Sequence, residues 1–333
     1  MNTYYFSGSL TNSMHDMLIN MPDFEPLDIL ITQLDRSAIT KAIEWKKEGF
    51  VKTLFVDSGA FSVHTGNAKL PGWKSSTPPT FRDWEDEYIR YLNSIDDYVD
   101  VFAQLDTIPG EFQKPKTPED YIESVKKSWN NYLYMRERVK SPNKLMPVFH
   151  HHESFDALKN MLEWTDENGQ HLTYIGLSPA NDCTTNVRNI YIDECNSIIA
   201  ASSNPNVKTH LYGYTSLEGL SKLACYSADS ISHRHIAAYN KILSTNFGVI
   251  SLTQKSRTSN TKSNMSFVDT CDDYNKKLLM DEITDAGFTL DKLREDSSAR
   301  VAFTIHSIQK LLKTTYAYDA SKIKRPKKLF NIS

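Results

Sequence analysis

Short runs of β-branched and aromatic residues recur along this chain at intervals of about 20 to 45 residues. Stretches with helical periodicity fill most of the intervals between these runs. Strands and helices that alternate in this way build a parallel sheet, because each crossover helix returns the chain to the starting edge of the sheet. Eight runs are predicted strands: residues 28–32, 53–57, 99–106, 145–150, 173–178, 208–215, 228–232 and 248–252.

The number of predicted strands bears on the architecture. Eight strands with crossover helices predict an α/β fold of the TIM (β/α)8 barrel type, and a length of 333 residues suits it; a doubly wound open sheet is the main alternative. Residues 4–8 predict an additional strand that caps the barrel or pairs at its edge. We expect the barrel to span residues 1–253, and a basic loop, a short helical C-terminal extension and a basic tail in residues 254–333 to pack on it.

Charge and cysteine usage limit the partners and the compartment. The chain has 38 Lys and Arg against 41 Asp and Glu, so its net charge of −3 gives no overall attraction to nucleic acid or anionic membranes, and such binding needs a local patch. The four cysteines form no Cys-x-x-Cys pair, which is typical of reduced thiols in the cytoplasm. Because we find neither a signal peptide nor a membrane-spanning apolar run, we expect a soluble cytoplasmic protein without a membrane partner.

Two predicted strands end in an aspartate, Asp57 and Asp106, and a third carries Asp229 in its segment Ala228-Asp229-Ser230. Asp57, Asp106 and Asp229 would therefore meet at one rim if the strands form a barrel, and this rim is where barrel enzymes keep their active sites. Two carboxylates beside a glycosidic carbon can act as nucleophile and as acid/base. The alternative for each residue is a turn or a helix cap, which Asp followed by Ser or Gly often forms.

Six segments, taken in chain order, resemble motifs of the queuine/archaeosine tRNA-guanine transglycosylase family. They lie within residues 28–252 and are Val56-Asp57-Ser58-Gly59-Ala60-Phe61, Gln104-Leu105-Asp106, Met146-Pro147-Val148, Tyr174-Ile175-Gly176-Leu177, His210-Leu211-Tyr212-Gly213 and Ala228-Asp229-Ser230. The first is similar to the family's Asp-Ser-Gly-Gly-Phe motif. The resemblance implies an exchange of bases through a covalent ribosyl intermediate.

The resemblance implies two catalytic residues. Asp57 would be the acid/base near the departing guanine. The family's nucleophile lies in an Asp-x-x-Asp stretch, which here is Asp229-Ser230-Ile231-Ser232, so an ungapped comparison places Ser232 at the nucleophile. We favour Asp229, because a carboxylate can trap the sugar whereas an unactivated hydroxyl needs a base.

The resemblance also implies a set of substrate-binding residues: Phe61, Asp106, His150, Gly176, Leu177, Tyr212 and Gly213. Asp106 would bind the purine edge, and the backbone of Gly176 and Leu177 would contact the base. Phe61 and Tyr212 would sandwich it by stacking, although without the resemblance both are typical core aromatics. A glutamine that the family carries after the fourth predicted strand is replaced by Phe149-His150-His151-His152, so we expect base selection to differ.

No metal or other cofactor is expected. The family's zinc subdomain uses three closely spaced cysteines and a histidine, and this chain has only Cys271 in the corresponding region. The triplet His150-His151-His152 could bind a metal, but alternate strand residues face opposite ways, and the spacing offers no carboxylate–histidine pair. Its histidines are therefore interpreted as polar groups of a pocket.

The lack of a zinc subdomain makes the chain similar to the viral and bacterial branch of the family. That branch exchanges guanine in DNA for a 7-deazaguanine such as the 7-cyano or 7-aminomethyl compound, in the host cytoplasm if the protein is viral. DNA and the free base are thus the expected partners, with tRNA as the alternative nucleic acid. Two other functions stay open: a base-releasing N-glycosylase and a catalytically inactive module that binds nucleic acid. Five basic residues are the candidate phosphate contacts: Lys255, Arg257, Lys262, Lys324 and Arg325. The alternative is that a lysine-rich tail is a solvated terminus without a role in binding.

Overall fold

The structure is a computed structural model that describes residues 3–64, 70–71, 73–74, 77, 79–111, 113–179, 184–253 and 266–314. Its contacts divide the chain into two compact units. Within the described residues, the first unit comprises 3–8 and Leu27–Asp229, and the second comprises Ser9–Pro26 and 230–314. The barrel domain expected to end at residue 253 stays a prediction.

The first unit is built on a nine-stranded sheet in the described part of the chain. Its strands are β1 (Thr3–Ser7), β2 (Leu27–Thr32), β3 (Val51–Asp57), β4 (Val101–Ala103), β5 (Leu145–Met146), β6 (Val148–His150), β7 (Tyr174–Ser178), β8 (Lys208–Leu211) and β9 (Ser227–Ser230). They lie in the order β5-β4-β3-β2-β1-β9-β8-β7-β6. The pairs from β5 to β1 and from β9 to β6 are parallel.

The two outermost strands of this order are consecutive in the chain. Only Pro147 separates β5 from β6, and its carbonyl accepts a hydrogen bond from the Gly176 amide at 2.8 Å. A proline has no N–H to donate, so the ladder is interrupted at this residue. The sheet is consequently barrel-like and nearly closed.

Two strand predictions are wrong. Residues 4–8 do not cap the sheet; they correspond to β1, which lies inside it between β2 and β9. Residues 248–252 do not belong to it, because β11 (Gly248–Ser251) pairs antiparallel with β10 (Lys241–Ser244) as a separate hairpin. Three residues join these strands, and a parallel connection needs a dozen or more. The prediction of an α/β fold with a parallel sheet is confirmed.

Helices connect the strands of the first unit: α2 (Arg36–Lys47), α3 (Ala60–His64), α4 (Phe81–Ile95), α5 (Pro118–Arg136), α6 (Phe155–Glu163), α7 (Thr185–Ala201) and α8 (Leu217–Lys222). Two 3-10 turns, Asp96–Tyr98 and Pro142–Lys144, precede β4 and β5. Helices α4 and α5 both begin in a capping box, formed by Thr80 with Asp83 and by Thr117 with Asp120. The local sequence therefore fixes where these two helices start.

Side chains on one face of the sheet pack against one another in the interior of the first unit. Its buried cluster consists of Tyr5, Leu30, Phe55, Val101, Ala103, Met146 and Tyr174, with Tyr212 and Tyr226 packed against it. Members come from six strands, from β1 to β7, so the cluster joins distant parts of the order. This packing positions the strand ends described below.

The second unit contains the hairpin and the remaining helices: α1 (Asn12–Ile19), α9 (Ser232–Ala238), α10 (Phe267–Thr270), α11 (Asp273–Asp285), α12 (Leu290–Glu295) and α13 (Ser297–Thr314). Helix α13 is buried along most of its length and contacts α1, α9 and β10. Its Arg300 side chain is also buried and donates to the carbonyls of Ala237 and Leu293. Among the described helices, none is both long and apolar enough to cross a membrane.

Candidate active site

A cavity of about 450 Å³ opens at the carboxyl ends of the parallel strands in the first unit. Its walls include residues at or just after the ends of β2, β3, β4, β6, β7 and β8. Asp57, Asp106, His150, Tyr212 and Gly213 are among the lining residues. Five of the nine residues that the sequence nominated for catalysis or base binding therefore share one cavity wall.

Asp57 is the last residue of β3. The chain turns immediately after it at Gly59, which has φ of +71° and whose amide donates to Asp57 Oδ2 at 3.0 Å. A Cβ at residue 59 would lie 2.8 Å from side-chain atoms of Thr32 and Leu34. Only glycine suits this turn, on grounds of both backbone conformation and space.

Asp57 holds its proton more firmly than an ordinary aspartate. Burial raises the pKa of this carboxyl to about 6, even though the Gly59 amide acts to lower it. The neighbouring charges of Asp106 and Asp229 also raise the pKa. A carboxyl with a pKa near neutrality can both donate and accept a proton, as a general acid/base requires.

Asp106 lies at one end of a carboxylate–imidazole–carboxylate chain that has His150 at its centre. His150 Nε2 is 2.7 Å from Asp106 Oδ2, and His150 Nδ1 is 2.8 Å from Glu153 Oε1. Burial alone lowers the pKa of His150, but the hydrogen bonds to both carboxylates outweigh it and raise the pKa to about 10. Both ring nitrogens of His150 are therefore engaged by carboxylates, and Asp106 and His150 both line the cavity.

Asp229 lies near the end of β9 and is 7% exposed. Its Oδ1 accepts from the Gly213 amide at 2.8 Å, and its Oδ2 accepts from Ser7 Oγ at 2.5 Å. His210 Nε2 lies 3.3 Å from Oδ1. Unlike Asp57 and Asp106, Asp229 is not among the residues that line the cavity; Ser232, the alternative nucleophile, starts α9 in the second unit.

Tyr212 lies near all three aspartates. Its ring packs edge-on against His210 with centroids 4.6 Å apart. Its hydroxyl is buried and has no hydrogen-bond partner among the described residues. Burial raises the pKa of Tyr212 well above its ordinary value, and the charges of Asp57, Asp106 and Asp229 raise it further.

Gly176 provides the space that Tyr212 occupies. A Cβ at residue 176 would lie 2.7 Å from Tyr212 Cε2 and 3.1 Å from Met146 Cε. Neither Gly176 nor Leu177 lines the cavity. Leu177 is fully buried, and its carbonyl accepts from the Tyr212 amide at 3.0 Å. The base contacts that the resemblance implies for these two residues remain predictions.

Several predicted residues lie outside what the structure describes. Phe61 falls within α3, but its side chain is not among the described ones. The five candidate phosphate contacts also lie outside the described residues: Lys255, Arg257, Lys262, Lys324 and Arg325. Among the described residues that line the cavity, Lys116 is the single Lys or Arg.

Three contributors to the site were not found from the sequence. Glu153 follows His150 by three residues in the turn after β6, so a His-x-x-Glu spacing was a local signal that could have identified it. Ser7 and His210 give no such signal, because Ser7 is 222 residues away from its partner Asp229 and His210 sits within a strand. Only the closure of the sheet brings Ser7 to that carboxylate.

Comparison with models of known protein families gives no match for this chain. Comparison with curated proteins gives no match either. The assignment of roles therefore depends on the geometry of the site and on the motifs in the sequence.

Proposed function

We propose that this chain is a transglycosylase that exchanges guanine in DNA for a free 7-deazaguanine. The observation that carries the proposal is the group of three aspartates at the carboxyl ends of parallel strands, close enough for Asp106 and Asp229 to raise the pKa of Asp57. Asp57 and Asp106 line a cavity of about 450 Å³, which lies within the usual range for small-molecule sites. In this proposal the sheet is an eightfold TIM barrel, with β5 and β6 as one strand interrupted at Pro147.

The first half of the reaction breaks the bond to guanine. An oxygen of the Asp229 carboxylate attacks C1′ of a deoxyguanosine that has left the base stack, and a C1′–O ester bond forms as the C1′–N9 bond breaks. The electron pair of the broken bond goes to guanine, which takes the proton of Asp57. Ser7 Oγ and the Gly213 amide hold the Asp229 oxygens, and each oxygen keeps a lone pair for the attack.

The second half of the reaction restores the enzyme. N9 of the 7-deazaguanine attacks C1′, the ester bond breaks, and the electron pair returns to Asp229. The N9 proton of the incoming base goes to the Asp57 carboxylate, so the proton balance closes without a cofactor. A group with a pKa of about 6 suits both directions of this transfer.

The purine edge is assigned to Asp106. A carboxylate accepts the two donors, N1–H and the N2 amino group, that guanine and its 7-deaza analogues share. His150 fixes the orientation of Asp106 through the 2.7 Å contact between His150 Nε2 and Asp106 Oδ2. Recognition of this shared edge explains how one pocket can receive both the departing and the incoming base.

An exchange assay tests the proposal. Radiolabelled guanine and a 7-deazaguanine would each be offered with duplex DNA, single-stranded DNA and tRNA, and both incorporation and base release would be measured. We expect incorporation into DNA with release of one guanine for each base inserted. Incorporation into tRNA alone would assign the same chemistry to RNA, and release without incorporation would identify an N-glycosylase; either result contradicts the proposal.

A further inference from the structure

The turn after β6 gathers a second group of side chains, of which His152 and Glu153 have no part in the exchange reaction. His150 ends the strand, and the next three residues form the turn that leads to α6. One ligand atom from each of His150, His152 and Glu153 lies within 4.8 Å of the other two. We propose that these three residues bind a divalent transition-metal ion of the zinc class.

The chemistry of the three donors supports a metal rather than a simple polar cluster. Two imidazoles and one carboxylate form a donor set typical of zinc sites with an open coordination position. The rings of His150 and His152 have centroids 5.2 Å apart. Imidazoles that share a tetrahedral zinc stand about 5 Å apart, given Zn–N bonds of about 2.0–2.1 Å.

His152 gives an independent indication. Its Nε2 atom is buried and has no hydrogen-bond partner among the described residues. A buried polar atom without a partner costs about 1–3 kcal/mol. A bound cation would accept the lone pair of this nitrogen and so remove that cost.

Asp106 completes the arrangement. Its Oδ2 lies 2.7 Å from His150 Nε2, so this carboxylate orients the ring while Nδ1 faces the proposed ion. A ligating histidine that is held at its second nitrogen by a carboxylate is a recurring feature of metal sites. Glu153 Oε1 lies 2.8 Å from Nδ1, and the ion would replace the proton shared by these two atoms.

The strand end explains why the alternation of side chains along a strand does not rule out this site. Alternation of side chains along a strand separates neighbouring histidines, but β6 stops at His150, so alternation does not govern His151 or His152. The turn then brings in Glu153, which supplies the carboxylate. The open coordination position would lie at the cavity wall, because His150 and His152 both line the cavity.

Metal titration of the full chain without an affinity tag tests the proposal independently of any activity. Chelator-treated protein would be titrated with Zn²⁺ against a chromophoric chelator, and with Co²⁺ to record its visible absorption. We expect one equivalent of Zn²⁺ to bind, and His152→Ala and Glu153→Gln each to weaken binding by about 100-fold. Asp106→Asn should weaken it by about 10- to 100-fold, because Asp106 acts through His150.

Two control variants distinguish this site from other zinc ligands. His151→Ala changes the neighbouring exposed histidine and should leave the affinity unchanged, as should Cys271→Ser at a partly exposed thiol. Circular dichroism would confirm that each variant is folded. Binding of less than one equivalent, an affinity unchanged in folded His152→Ala, or a thiolate-to-cobalt absorption band would overturn the proposal.

Discussion

At the scale of single residues, the site depends on carboxylates with different surroundings. Asp57 lies in a turn that only glycine at residue 59 permits, and burial raises its pKa to about 6. Asp229 is instead held by a hydroxyl and an amide. Two carboxylates in different surroundings can take different roles, one as acid/base and the other as nucleophile.

The raised pKa of Asp57 makes stability depend on pH. Asp106 and Asp229 face this carboxyl, as do the hydroxyls of Tyr88 and Tyr212. A folded pKa of about 6 above the ordinary 3.8 means that the folded state binds the proton more tightly. The charged carboxyl therefore destabilises the fold above pH 6, and this penalty disappears as the pH falls toward 4.

We therefore expect Asp57→Asn to raise the free energy of unfolding by about 3 kcal/mol at pH 8, as a shift of about two pKa units implies, and by much less at pH 4. Urea denaturation at both pH values measures the difference. Asp285→Asn, which changes an exposed aspartate on α11, is the control and should show no such dependence on pH. Equal effects of Asp57→Asn at the two pH values would show that its pKa is ordinary.

Gly176 gives a second prediction at this scale. A methyl group at this position would overlap the Tyr212 ring, so Gly176→Ala should lower the free energy of unfolding by about 1–3 kcal/mol. The loss should shrink when Tyr212→Leu is introduced as well, since the shorter side chain vacates the space. Denaturation of the single and double variants measures this coupling, and purely additive losses would contradict the packing that we describe.

At the scale of secondary-structure elements, local signals and long-range pairing contribute separately. The capping box of α5 is a local signal: Thr117 Oγ1 accepts from the Asp120 amide at 3.2 Å, and Asp120 accepts from the Thr117 amide at 2.8 Å. Removing such a cap costs about 1 kcal/mol. Four consecutive residues, 117–120, therefore determine where this helix starts.

Thr117→Ala should lower the free energy of unfolding by about 1 kcal/mol, because it leaves amides of the first turn without an acceptor. Thr117→Ser keeps the hydroxyl and is the matched control, for which we expect a loss well below that of alanine. Chemical denaturation of both variants provides the comparison. Equal losses would mean that the methyl group of Thr117, not its hydroxyl, stabilises this end of the helix.

The distinction between local signals and long-range pairing explains which secondary-structure elements could be predicted from the sequence. Periodicity identified the parallel strands and the helical stretches that fill most of the intervals between them. It could not show that residues 248–252 form a hairpin, because β11 has the apolar character of a sheet strand and only its short connection to β10 distinguishes it. The place of β1 was equally hidden, since it depends on closure of the sheet.

The residues of the candidate site also fall into two groups, those that the local sequence reveals and those that depend on long-range pairing. Asp57, Asp106 and Asp229 could be found because the first two end predicted strands and Asp229 lies in a third. Their partners Ser7 and His210 could not, because pairing of β1 and β8 with their neighbours in the sheet decides which side chains reach Asp229. Sequence thus identifies the charged groups, and the three-dimensional fold determines what holds them.

At the scale of the whole molecule, a net charge of −3 leaves DNA binding to local groups. Lys116 lies at the wall of the cavity that would receive the flipped nucleotide in the proposed reaction. A lysine there can neutralise one backbone phosphate, and each neutralised phosphate contributes to the salt dependence of binding. Substitution of Lys116 therefore tests directly how DNA approaches the site.

Lys116→Ala should weaken DNA binding and lower the slope of log affinity against log salt by about one, as the loss of one phosphate contact requires. Lys114→Ala removes a nearby exposed lysine that pairs with Glu111 and does not line the cavity, so it serves as the control. Fluorescence anisotropy with labelled DNA over a range of salt concentrations gives both slopes. Identical slopes for the Lys116 variant and the unmodified protein would place the phosphates elsewhere.

The most direct test of the account is to trap the covalent intermediate and locate it. The protein would be incubated with guanine-containing DNA without an incoming base, denatured, digested, and its peptides analysed by mass spectrometry. We predict a deoxyribosyl ester on Asp229 that disappears in Asp229→Ala and on later addition of a 7-deazaguanine to the undenatured complex. An adduct on Ser232, or base exchange that persists in Asp229→Ala, would contradict the central claim.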